Sequence, residues 1–333
     1  MADETVKIVR FHETGGPEVL RIEEQPVPEP GKGEVRLRVK AIGLNRAEVM
    51  FRMGKYLQQP VLPSKLGYEA SGTVEAVGEG VDRAWIGKTA STVPAFAANE
   101  YGVYGEVAIV PANALAEYPA KLSPEEGTSI WMQYLTAYGA LVHFGKIAPD
   151  DFVLITAASS SVGVAAIEIA KAEGAISIAV TRTAAKREEL LALGADHVIV
   201  TDGEDLPVRV NEITGGKGAR LVFDPIGGPI VAELAEAAAY QGIIFEYGAL
   251  SGEKTPLPLF TALSKSLTFR GYTLFEINSD PGVRATAERY VLDKLESGAF
   301  RPRIAKTFKL DEIVEAHRYM ESNQQIGKIV VTV

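Results

Sequence analysis

The sequence predicts an α/β fold in which a doubly wound parallel sheet follows a β-rich region, and three observations point there. From Asp151 the chain alternates apolar β-branched runs with amphipathic stretches. The runs are "DFVLIT", "ISIAVT", "HVIV", "ARLVFDPI" and "GIIFEYG"; between them lie "SVGVAAIEIAKAEG", "AAKREELLALG", "PVRVNEITGG" and "IVAELAEAAAYQ". That rhythm builds parallel strands covered by helices on both faces. Second, residues before about 125 carry short β-branched runs broken by Gly and Pro, among them "VKIVRF", "EVRLRVKAIGL", "SGTVEAVG" and "EVAIV". Third, "ITAASSSVGVAAIEIAKAEGA", Ile155 to Ala175, reads as strand, tight turn and helix, the layout that cradles a dinucleotide.

Taken in order, the first helical period is "NRAEVMFRMG". The pattern then changes near Ser123, where "SPEEGTSIWMQYLTAYGALVHFG" begins with a cap, a proline and acidic residues before an apolar stripe. On that stripe lie Trp131, Met132, Tyr134 and Tyr138, most of which read as core and not as pocket wall. From about Leu267 the text is mixed again, ending in an amphipathic helix, "DEIVEAHRYMES", and a strand, "GKIVVTV". The chain has 333 residues, 47% of them hydrophobic, enough for about two domains. No apolar run reaches the ~20 residues that span a bilayer. "MADETVKIVRF" lacks the basic-then-apolar layout of a signal peptide. The absence of cysteine excludes disulfides and thiolate chemistry and fits a cytoplasmic setting. A net charge of −9 argues against nucleic acid as a partner.

In the dinucleotide fingerprint one glycine makes the turn, a second admits the pyrophosphate and a third lets helix pack on strand. Here those places hold Ala158, Ser160 and Gly163, so only the third glycine is present. The backbone N–H groups of Ser161 and Val162 can still face an anion at a helix start; a plain strand–helix corner is the alternative. An acidic residue about 20 residues further on marks NAD. This chain has "AVTRTAAKREEL" there, with Thr181 or Arg182 at the key place according to register. Arg182, Thr183 and Lys186 suit the 2′-phosphate of NADP.

Several longer stretches carry a resemblance: "GGPEVLRIEEQPVPEPGKGEVRLRVKAIGLNRAEV", "GYEASGTVEAVGEGV", "LTAYGAL", "LVFDPIGG" and "ESNQQIGKIVV". Over nearly its whole length the chain resembles the medium-chain dehydrogenase/reductase superfamily, in its zinc-free quinone-oxidoreductase branch. The resemblance implies a GroES-like β-rich catalytic domain from residues 1–124 and 267–333, with a Rossmann nucleotide-binding domain at 125–266 between them. It also implies a homodimer. Zinc-dependent relatives carry cysteine where this chain has Asn45 and histidine where it has Tyr68, and His12, His143, His197 and His317 are too scattered to replace them. No metal is expected, and Glu69 should pair with a buried basic group.

The resemblance places Asn45 and Tyr56 in the active site. Each can donate to a substrate carbonyl and stabilise charge as hydride arrives. Asn45 as a turn residue and Tyr56 as a packing aromatic are the alternatives. Thr136 matches a threonine near the nicotinamide. Tyr247 and Gly248 follow a strand whose end should border the cofactor, and Asn323 and Lys328 match a cofactor-side segment. The expected activity is reduction by NADPH of a quinone or an α,β-unsaturated carbonyl, the two left open. A non-catalytic NADPH-binding protein, structural or RNA-interacting, is the rival, and an alcohol dehydrogenase is the weaker enzymatic alternative.

Overall fold

The computed structural model describes residues 4–333; the first three residues of the N-terminal stretch read above lie outside them. The chain divides into two compact units, one running to Met132 and resuming over Pro302–Val333, the other Gln133–Arg301.

In chain order the first unit holds β1 (Thr5–Arg10), β2 (Arg21–Pro26), β3 (Glu34–Gly43), β4 (Glu69–Val77), β5 (Thr89–Thr92), β6 (Val107–Pro111) and β7 (Leu115–Ala116). The second holds β8 (Phe152–Ile155), β9 (Ile176–Thr181), β10 (His197–Val200), β11 (Ala219–Asp224), β12 (Ala238–Glu246) and β13 (Thr268–Gly271). The returning segment adds β14 (Ile304–Lys309) and β15 (Lys328–Thr332) to the first.

In the first unit β1 and β2 form an antiparallel pair, and a seven-stranded sheet runs β14-β15-β3-β4-β5-β7 with β6 also on β3. Strand β3 shows the expected alternation. Val35, Leu37, Val39 and Ala41 are buried, and Arg36 and Arg38 reach across to Glu75 of β4. After β3 the chain turns into the helix Arg46–Arg52. Asn45 is its N-cap residue, and its backbone N–H donates to Glu48 Oε2 at 2.8 Å, the reciprocal half of a capping box. Strand β15 pairs antiparallel with the end of β3, Val330 opposite Gly43, which places Lys328 beside the β3–helix corner.

The second unit is a six-stranded, wholly parallel sheet in the order β10-β9-β8-β11-β12-β13. Its strands are buried apolar runs, as a parallel sheet covered on both faces requires: Val153–Ile155, Ile178–Val180, Leu221–Phe223 and Ile244–Phe245. The strand order reverses between β8 and β11, the place where such sheets bind ligands beyond their carboxyl ends. The helix Ser161–Ala172 leaves from β8.

The observed boundaries differ from those expected at 124/125 and 266/267. Residues 267–301 pack with the parallel sheet, because β13 extends it beside β12 and Pro281–Glu296 forms a helix within the same unit. The stripe after Ser123 is not one helix. A single capped turn, Pro124–Gly127, stops at Thr128, and a second helix spans Trp131–Tyr138 before a wider π-helical turn at Gly139–Phe144. Strand β12 also starts earlier than read, at Ala238, because the helix before it ends at Ala237.

Candidate active site

Two groups of residues carry chemistry, one in each unit. In the second unit, β8 ends at Ile155 and the chain turns through Ala157, which holds a left-handed φ of +44°, into the helix capped by Ser160. Ser160 Oγ accepts from the Gly163 N–H at 3.0 Å. A Cβ on Gly163 would stand 2.6 Å from Ala158 Cα and O, so the third position of the fingerprint needs glycine for close helix–strand packing. The N–H groups of Ser161 and Val162 lie in the first helical turn and have no helical acceptor.

Beside this turn sits the basic loop that follows β9. Lys186 Nζ donates to Ser159 Oγ at 2.9 Å, which ties the loop to the turn. Burial, and then the neighbouring Arg182 guanidinium, push the Lys186 ammonium below its ordinary pKa. Thr181 ends β9 and is nearly buried, whereas Arg182 and Thr183 are exposed. Arg182 makes no ion pair among the described residues. No carboxylate stands at the end of β9, the position that meets an adenosine ribose in NAD-binding sheets. Tyr247 and Gly248 follow β12, and Tyr247 stacks on Phe223 at 4.0 Å between ring centroids. Thr136 is buried in the helix Trp131–Tyr138.

At the mouth of β11 and β12, Asp224 and Glu246 are register partners. Asp224 accepts from the Thr156 hydroxyl and from the Gly227 N–H at 2.7 Å. Burial, with Asp224 alongside, raises the Glu246 carboxyl to about 8.

In the first unit a chain of buried polar groups starts at Lys328. Its ammonium lies 2.5 Å from Glu69 Oε2 and 2.6 Å from Asn45 Oδ1, with all three residues buried. The Asn45 amide nitrogen faces Glu69 Oε2 at 3.2 Å, Glu48 Oε1 at 3.3 Å and Gly43 O at 3.3 Å. Glu69 Oε1 accepts from the Met132 N–H at 2.8 Å. Glu48 accepts from the Tyr68 N–H at 3.0 Å and from the Tyr104 hydroxyl at 2.5 Å. Burial pushes the Glu48 carboxyl up, and those donors only partly pull it back.

The chain continues through His317 to Arg52. Arg52 Nη1 lies 2.7 Å from His317 Nδ1, and a guanidinium can only donate, so the imidazole proton sits on Nε2. That Nε2–H faces Tyr104 Oη at 3.3 Å. Burial and then the Arg52 charge hold His317 down to about 3, so it is neutral. Arg52 also donates to Gly15 O at 3.1 Å and to Glu321 at 2.7 Å.

The structure thus brings Asn45, Glu69 and Lys328 together, and Lys328 is the buried basic partner expected for Glu69. It also gives two of the expected site residues partners within the protein. Lys328, expected on the cofactor side, is 1% exposed and spends its ammonium on Glu69 and Asn45. Asn45, expected to donate to a substrate, has two amide hydrogens facing three protein acceptors. Asn323 lies elsewhere, exposed at a left-handed φ of +58° with its Oδ1 accepting from Arg46. Tyr56 is different. It is partly exposed, its hydroxyl has no hydrogen-bond partner among the described residues, and burial and then Glu48 raise its pKa. Sequence reasoning missed Glu48, Tyr104, His317 and Arg52 as a network; a charged residue inside the apolar period of "NRAEVMFRMG" was the available signal.

Residues 31–120 match the family described as alcohol dehydrogenase GroES-like domain, and residues 161–289 that described as zinc-binding dehydrogenase. The chain is 32% identical to a 2-haloacrylate reductase of Burkholderia sp, over 96% of this chain and 97% of that protein. The chain belongs to the quinone oxidoreductase-like branch of the medium-chain dehydrogenase/reductase superfamily. It is an oxidoreductase. The fold of this oxidoreductase superposes with a TM-score of 0.91 on Escherichia coli quinone oxidoreductase complexed with NADPH, at 31% identity, covering 98% of this chain and 100% of that one. A structure titled NAD-dependent alcohol dehydrogenase gives a TM-score of 0.89 at 34% identity, with 98% and 99% covered.

Zinc, which one of these family descriptions implies, does not fit the Asn45–Glu69 corner. The two ligand positions hold an amide and a phenol, and the cation held between Asn45 and Glu69 is an ammonium. Among the described residues, no helix is long and apolar enough to cross a membrane.

Proposed function

We propose that this oxidoreductase is a metal-independent, NADPH-dependent reductase of quinones or α,β-unsaturated carbonyl compounds. The observation that carries the reading is the basic end of β9. Among the described residues Arg182 is exposed and without an ion pair, Lys186 is tied to the Ser159 turn, and no acid stands at the end of β9 to repel a 2′-phosphate. The relatives alone leave the cofactor open, since one solved neighbour is titled NADPH-bound and another NAD-dependent.

The second unit's residues fit a dinucleotide. Gly163 lets the helix start pack closely on the turn, and the Ser161 and Val162 N–H groups offer donors for pyrophosphate. Thr181, Arg182, Thr183 and Lys186 take the 2′-phosphate, while Thr136, Tyr247 and Gly248 border the nicotinamide side. When bound, NADPH supplies the hydride. Tyr56 then donates a hydrogen bond to the acceptor carbonyl as negative charge develops there. Its raised pKa suits that task, because the phenol remains a donor and does not ionise. The loop after Tyr56 exposes Leu57, Val61 and Leu62, an apolar surface fitted to the body of a quinone or enone.

We also infer a homodimer in the cytoplasm. Phe260 is 86% exposed and Leu263 66% exposed on the helix Leu259–Lys265, and β13 is an edge strand. Turnover tests the function: NADPH oxidation is followed with a panel of quinones and enones. Reduction of at least one class at a rate proportional to enzyme is expected. Saturable NADPH binding with no acceptor reduced would instead identify a non-catalytic NADPH-binding protein.

A further inference from the structure

We infer that Lys328 is a built-in cation that stands in for a metal ion, holding the Asn45–Glu69 corner together and keeping divalent cations out of it. The inference concerns a positioning residue and is independent of the cofactor and substrate proposed above.

The argument begins with the fold. The register of β15 against β3 sets Val330 opposite Gly43, and the Leu44 N–H donates to Ile329 O at 3.0 Å. Lys328 therefore enters the corner where β3 gives way to the helix Arg46–Arg52. Room for its stem exists because residue 43 is glycine: a Cβ there would stand 2.8 Å from Lys328 Cε and 2.3 Å from Thr128 O. The ammonium ends between two oxygens, Glu69 Oε2 and Asn45 Oδ1. Neither the Lys328 nor the Glu69 side chain reaches solvent appreciably, at 0% and 1% exposed. A lone buried carboxylate at Glu69 would be costly, so the site needs a cation of some kind.

The oxygens that Lys328 binds are hard donors. The Asn45 amide carbonyl and the Glu69 carboxylate are donors of the kind that suit Mn²⁺, Mg²⁺ or Ca²⁺, while Glu48 faces the Asn45 amide nitrogen. The ammonium satisfies them with a charge carried on a side chain of the protein itself. An entering divalent ion meets that charge first and must also displace a stem packed under Gly43. Removing the ammonium alone therefore opens a cation site.

The test uses Lys328→Ala in the full chain, with Mn²⁺ as the probe metal and ethylammonium as the probe amine. The variant is expected to unfold about 10 °C below the wild type, as loss of one partner of a buried ion pair implies. It should bind Mn²⁺ stoichiometrically by paramagnetic resonance, and either Mn²⁺ or ethylammonium should restore most of the lost Tm. Wild type should bind no Mn²⁺ there, and adding Glu69→Gln to the variant should abolish both rescues. A merely space-filling lysine would give a destabilised variant that responds to neither cation, and that result overturns the inference. Should Lys328→Ala fail to fold, the absence of cysteine provides a second route. Lys328→Cys, alkylated in denaturant with bromoethylamine and refolded, regains an ammonium at nearly the same reach. Recovery of folding on aminoethylation supports the inference; equal folding with carboxamidomethylation, which adds a neutral group, refutes it.

Discussion

The polar corner of the first unit and the strand-end turn of the second are built from like materials: a cation, hydroxyls and the start of a helix. They differ in pairing. Around Lys328 and Arg52 the charged groups meet protein partners, and the Asn45 amide is surrounded by acceptors. Around Gly163 the helix start offers N–H groups without helical acceptors, and Arg182 stands exposed. A buried network satisfied by its own chain stabilises that chain and has little capacity left for a ligand. The unspent donors leave capacity for a ligand. Tyr56, in the first unit, likewise has a hydroxyl without a partner among the described residues.

The largest effect should come from breaking the closed network. Arg52→Ala leaves His317 and Glu321 without their donor and is expected to cost about 3–5 kcal/mol in urea unfolding. Arg182→Ala, at the open site, should change stability by less than about 0.5 kcal/mol. Equal losses from the two variants would erase the distinction.

Next is Tyr56→Phe. Loss of a donor to the developing oxyanion is expected to lower kcat for enones about 10²-fold, with NADPH affinity unchanged in direct titration. Quinones, which accept electrons readily, should be affected less. Unaltered enone turnover would return Tyr56 to a packing role.

Gly163→Ala sharpens the comparison from the backbone side. Its added methyl meets Ala158 Cα and O at 2.6 Å, so helix and strand must part. A loss of about 1–3 kcal/mol is expected by thermal unfolding, together with weaker NADPH binding. A stable variant with wild-type affinity would show that the turn is looser than its geometry.

A further effect is spread over pH. His317 is held down to about 3 in the folded chain against an ordinary 6.5, so the unfolded chain binds the extra proton in that window. Its contribution is complete above about 6.5 and is lost as pH falls toward 3. Glu168, raised by burial to about 7, and Glu246 act with the opposite sign. The difference between wild type and His317→Gln therefore isolates the histidine: the variant should lose less stability on acidification, measured as Tm against pH. Parallel curves would contradict the neutral, buried assignment.

Much of this was legible in the sequence. The parallel sheet announced itself in apolar β-branched runs, because strands buried on both faces have no polar side to confuse the pattern. The third fingerprint glycine and the basic end of β9 were readable for the same local reason. Residues 267–301 were not, since "SLTFRGYTLFEIN" carries no clear period and β13 is a short edge strand. The role of Lys328 was hidden by distance: its partners Glu69 and Asn45 lie 259 and 283 residues away along the chain. The clue was a lysine opening the apolar run "GKIVVTV", opposite a glutamate whose metal partners were gone. The partners of Asn45 were hidden too: the position it shares with a zinc ligand suggested substrate contact, and its amide faces Glu48 and Glu69.

The central claim is that the open, basic end of β9 selects NADPH. The direct measurement is the pair of dissociation constants for NADPH and NADH, in wild type and Arg182→Ala at one salt concentration. A charge-assisted hydrogen bond contributes roughly 1.5–3 kcal/mol, so the variant should bind NADPH about ten- to a hundred-fold more weakly while NADH, lacking the phosphate, barely changes. Wild type that binds NADH as tightly as NADPH, or an Arg182→Ala chain that keeps the full preference, would contradict the account.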